Sequence, residues 1–169
     1  MNLTDLLLAD LEREVERSRR ALGQVPEGKH DWKPHDKSMN FGYLAELVAT
    51  IPSWVAMTVT RDEHDLAPAD GPAVERPGNE TSGALRGAFD KSAADAKEAL
   101  EQTSEEHLLT SWRLLVRGQV VWEGPRHEMI RDTISHWAHH RGQMTVYLRL
   151  LGAKVPALYG PSADEHSFQ

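Results

Sequence analysis

Between Pro125 and Gly152 the chain runs without a proline, and its inward-type side chains recur at helical spacing. Met129, Thr133, His136, Trp137, His140, Met144, Tyr147 and Leu151 fall on one stripe of a helix with 3.6 residues per turn. Pro125 suits a first helical position, and Gly152 suits a C-terminal stop. A helix this long must bury its stripe against partners, and three other segments carry a matching pattern.

The first runs from about Leu3 to Leu22, where Leu3, Leu7, Leu11, Val15 and Leu22 alternate with Glu and Arg. The second starts after Ser38 or Asn40, either of which can cap it. Its stripe is Tyr43, Leu44, Leu47, Val48, Ile51, Trp54 and Val55, and Pro52 inside it predicts a kink. The third is capped by Thr81 or Ser82 and reaches about Gln102, with Leu85, Phe89, Ala93, Ala96 and Leu100 facing inward. Ala67–Asn79, with three prolines and two glycines, reads as a long exposed loop. Trp112–Trp122, split by Gly118, reads as a small hairpin or extended arm, or as an irregular loop packing its two tryptophans. The expected fold is all-α: one four-helix bundle domain over residues 1–169, with that hairpin or arm before the last helix.

Net charge is −7 and no dense Lys/Arg block occurs, so nucleic acid is not an expected partner. No run of about 18 apolar residues reads as a membrane span. The acidic N-terminus does not read as a signal peptide, and cysteine is absent. The expected setting is cytoplasmic, and disulfides, thiolate ligands and a cysteine nucleophile are excluded.

Chemistry concentrates in His136-Trp-Ala-His139-His140-Arg-Gly-Gln143. His136 and His140, one turn apart, share a face and can bind one divalent ion together. His139 and Arg141 point elsewhere. The other reading of the pair is two hydrogen-bonded core or cleft histidines. A catalytic site wants a third protein ligand beside an open position, and the second helix is where one would come from. Arg141 and Gln143 either aid dimerisation or anion binding, or satisfy helix and tail neighbours. Trp54 and Trp137 either wall a pocket or pack in the core.

Trp32–Ser38, Leu44–Trp54, His136–Gln143 and Tyr159–Glu165 together resemble the DinB/YfiT-like superfamily, across nearly the whole chain. Those are damage-inducible-type proteins, some of them metal-dependent thiol transferases that use bacillithiol or mycothiol. The resemblance implies an up-up-down-down-like four-helix bundle, commonly a homodimer, and a divalent ion such as zinc or nickel held by three histidines. His136 and His140 match two of them. The family's third histidine stands in a Leu-Ala-x-His-Val-Ala context, which reads Leu44-Ala45-Glu46-Leu47-Val48-Ala49 here. Leu47 cannot bind a metal.

Adjacent Glu46 could complete a set of His136, His140 and Glu46, although a neighbouring residue points about 100° away on a helix. Its other reading is a solvated or dimer-face carboxylate. His35 is a reserve ligand or a surface residue, and His64 and His127 read as surface or helix-end residues.

Two functions follow as expectations. One is a metal-dependent transferase acting on a low-molecular-weight thiol and a small-molecule electrophile. The alternative is a non-catalytic dimeric stress-response or binding protein that has lost the third ligand at Leu47.

Overall fold

The computed structural model describes residues 2–68 and 81–166. Helix α1 spans Leu3–Leu22 and is opened by a reciprocal cap, in which Asn2 accepts from Asp5 N while Asp5 accepts from Asn2 N. Asn40, not Ser38, caps α2 (Phe41–Thr50), its side chain accepting from Tyr43 N at 2.9 Å. Helix α3 spans Pro52–Thr60, and Thr81 caps α4 (Ser82–Gln102). A single turn, α5 (Glu105–Leu108), precedes a hairpin, and α6 covers Arg126–Leu150. The loop expected over Ala67–Asn79 falls for the most part outside the described residues.

The all-α four-helix bundle is corrected by this arrangement. Six helices are described, together with a three-stranded mixed sheet of β1 (Glu63–Asp65), β2 (Ser111–Val116) and β3 (Gln119–Pro125) in the order β1-β2-β3. Strands β2 and β3 pair antiparallel across a two-residue turn, Arg117-Gly118, whose φ values are both positive (52° and 73°). That is the turn whose twist matches a hairpin, and glycine carries the second position without a Cβ penalty. β1 then adds parallel to β2. Asp65 anchors it by accepting from Arg117 N at 3.0 Å and Gly118 N at 2.7 Å, so the turn's amides hold the third strand in place.

Pro52 does more than kink the second helix; it divides it into α2 and α3, bent by 44°. Proline supplies no N–H to the carbonyl four residues back, Val48 O. Trp137 Nε1–H of α6 donates to that carbonyl at 2.8 Å. Ser92 of α4 bridges the same break, accepting from Ser53 N at 2.7 Å and donating to Thr50 O at 3.0 Å. The proline's missing bond is thus replaced by cross-helix bonds that lock α2–α3 between α4 and α6.

The core lies among these helices. Leu7 and Leu11, Phe41, Leu44 and Val48, Leu85 and Phe89, and Ile130, Trp137 and Met144 are all buried. Removing any large member costs roughly 2–5 kcal/mol in lost contacts and cavity. No single described helix is long and apolar enough to cross a membrane; the bent α2–α3 pair passes on length and composition only.

Candidate functional site

Three bonds set the register of α2–α3 against α6: Tyr147 OH to Met39 O, Trp137 Nε1 to Val48 O, and Arg126 Nη1 to Thr58 O. Residue numbers fall along one element as they rise along the other, so the two run antiparallel. This brings the imidazole pair level with the middle of α2–α3. The Trp54 and His136 rings lie 5.5 Å apart.

The His136 and His140 Nε2 atoms are 2.8 Å apart, and His140 Nδ1 is 2.8 Å from Gln143 Oε1. An amide oxygen only accepts, so this contact puts a proton on Nδ1 and leaves Nε2 of His140 as acceptor. His136 Nε2–H then donates to it. The stripe on α6 suggested that both rings face the bundle interior. His140 is buried, but His136 is exposed at the cleft. Partial desolvation at the cleft wall, followed by the electrostatic influence of neighbouring His140 and His139, holds the His136 imidazole below its ordinary pKa. That direction favours the uncharged form of the ring.

Beside the pair lies a cavity of about 700 Å³, within the size range of small-molecule sites. From α2–α3 it is lined by Tyr43, Glu46, Leu47, Thr50, Trp54, Met57 and Thr58, and from α6 by Met129, Asp132, Thr133 and His136. The sheet closes one side with His64, Leu66, Trp112 and Leu114. The period-two alternation of β1 and β2 explains that last set: His64 and Leu66 share a face, as do Trp112 and Leu114, and His64 pairs with Leu114. The buried Trp112 indole N–H has no acceptor among the described residues.

The residues expected as metal ligands are only partly brought together. His136 and His140 touch; Glu46 shares the cavity wall with His136, as does Leu47. Among the described residues no three His, Asp or Glu side chains form a group able to hold an ion. Two nitrogens at about 2.0–2.1 Å from a tetrahedral zinc would stand roughly 3.3 Å apart. The observed 2.8 Å is a hydrogen bond, so the rings would have to part by about half an ångström and still lack a third donor. Among the described residues, no third donor completes a three-ligand centre with this pair.

His35 is exposed, its Nδ1 accepting from Lys37 N, and His127 is half-buried near the start of α6. His64, expected at the surface or a helix end, belongs instead to the cavity wall. No signal in Glu63-His64-Asp65 reveals that, because β1 shows no apolar alternation. Arg141 is fully buried and turned to α1, bonded to Glu14, the Ser18 hydroxyl and Tyr159 OH. It satisfies helix and tail neighbours. Gln143 orients His140. Trp54 walls the cavity and Trp137 packs in the core.

The sequence profile described as the DinB family matches residues 1–167. Over 68 residues, 40% of the chain, there is 38% identity to the uncharacterized protein YrdA of Bacillus subtilis strain 168. The chain covers only 38% of that relative's length. The fold is similar to that of a DinB-like protein from Bacillus cereus ATCC 10987, at 22% identity and a TM-score of 0.70, covering 90% of this chain and 95% of that one. It is also similar to the DinB-like protein YjoA of Bacillus subtilis, at 14% identity and a TM-score of 0.69, covering 96% and 99%.

Proposed function

The chain belongs to the DinB family, and we propose that it is a small-molecule-binding member of it, whose ligand sits in the cavity against His136. The observation that carries this reading is the cavity itself: large enough for a ligand, walled mainly by apolar and aromatic side chains, and edged by the His136 imidazole. The His136–His140 pair acts here as a hydrogen-bonding edge, with His140 held in one tautomer by Gln143. Leu47→Trp tests the reading, because it fills the cavity from a half-buried wall position on α2. The variant is expected to keep its thermal midpoint within a few degrees and to lose binding of apolar fluorescent probes. Unchanged probe binding would count against the cavity as the site.

A second reading is the metal-dependent thiol transferase acting with a low-molecular-weight thiol. One observation favours it: His140 donates from Nδ1 to an oxygen, the outer-shell arrangement that presents Nε2 of a ligating histidine. It requires a donor that Leu47 does not provide, with Glu46 the nearest carboxylate on the sequence. Zinc and nickel titration of untagged protein separates the two readings. The binding reading expects uptake only after Leu47→His; equal uptake by the wild type would favour the transferase. Homodimerisation, a role in stress response and a cytoplasmic setting belong to these proposals, and light scattering tests the first of them.

A further inference from the structure

We propose that the cavity selects ligands with an apolar or aromatic body and a cationic amine head, the head lying against Asp132. This narrows the small-molecule reading above and rests on it. The body is matched by Trp54, Met57, Trp112 and Met129, which offer flat aromatic faces and adaptable thioethers. The head is matched by charge. Two carboxylates, Glu46 of α2 and Asp132 of α6, stand in the wall, and no Lys or Arg lines it among the described residues.

Asp132 is exposed, one helical turn before His136 and on the same side of α6. It makes no ion pair among the described residues, so an incoming ammonium group displaces no cation from it there. The tryptophan faces add attraction for the same charge, since an indole carries negative potential over its ring. An anionic head meets the opposite situation: the like charge of Asp132, with no Lys or Arg in the wall among the described residues. The chain's net charge of −7 adds to that repulsion at long range.

The test uses three probes of nearly equal size: phenylbutylamine, phenylbutanol and phenylbutyrate. Binding to the full chain is followed by calorimetry and by tryptophan fluorescence, and the alcohol is used to displace the amine, which confines the signal to one site. The expected order is amine, then alcohol, then acid, with the amine about fivefold tighter than the alcohol at low salt. Asp132→Asn, at an exposed position, should bring the amine to the alcohol's affinity and leave the alcohol unchanged. Equal binding of amine and alcohol, or tightest binding of the acid, overturns the charge selection but leaves the cavity reading standing. An amine preference that survives Asp132→Asn overturns the assignment to Asp132. If none of the three binds, the cavity reading fails and this inference fails with it.

Discussion

Trp137 illustrates how one residue carries both packing and polar satisfaction. Its ring fills the core, and its N–H takes up the carbonyl that Pro52 orphans. Trp137→Phe retains much of the ring volume but leaves Val48 O without its donor. The expected loss is about 1–3 kcal/mol in urea unfolding. A loss close to zero would mean that the carbonyl finds another partner. Glu14 makes a second residue-scale case. Burial pushes its carboxyl up, but the hydrogen bond and charge of Arg141, with Tyr159 and Arg17, outweigh that and hold it below its ordinary pKa. A depressed folded-state pKa gives stability that is present above the unfolded-state value and is lost as pH falls through the folded one. Glu14→Gln should therefore cost about 3 kcal/mol or more near neutrality, because it strands a buried arginine. Its deficit against the wild type should shrink in acid, read as converging thermal midpoints.

At the scale of elements, much was legible in the sequence and the exceptions have causes. The stripe of Leu3, Leu7 and Leu11 located α1, and the pairs Ser38 or Asn40 and Thr81 or Ser82 bracketed two starts, of which Asn40 and Thr81 are the caps, because helical period and capping are local properties. The turn at Arg117-Gly118 was signalled only by its glycine, and the hairpin competed with an irregular loop until pairing was seen. β1 could not be read. Its three residues are polar, and they become a strand because Asp65 is gripped by the turn amides of another element. The carbonyl partner of Pro52 was equally invisible, since a proline announces a break but not the side chain across it. Gly118→Ala tests the hairpin: at φ 73° the added Cβ should cost about 1–2 kcal/mol. Through Trp112 and Leu114 the same change should weaken probe binding in the cavity. An unaltered affinity would show that the sheet is not a needed wall.

Over the whole molecule, the site arises where two elements of different kinds meet. Helices α2–α3 and α6 supply the imidazole pair and the carboxylates, and the sheet supplies the closing face. The periodicity of α6 brought His136 and His140 to one side but could not say that His140 would be buried and His136 exposed. Burial depends on where α2–α3 bends, which Pro52 sets. Leu47 was recognisable from the sequence as a departure from a three-histidine pattern, and it takes its place in an apolar wall. Glu46 shares that wall because a cavity this wide admits side chains from adjacent positions on one helix.

Ligands that enter this cavity should meet a hydrogen-bonded imidazole pair. A nitrogen-resolved NMR spectrum of the histidine rings during titration with phenylbutanol reads that encounter at the rings themselves. In the free protein the expected spectrum shows a protonated Nδ1 on His140. On binding, the ring signals of His136 and His64 should move while those of His35 and His127 stay fixed. Signals of His136 and His64 that remain still while the probe binds would contradict it.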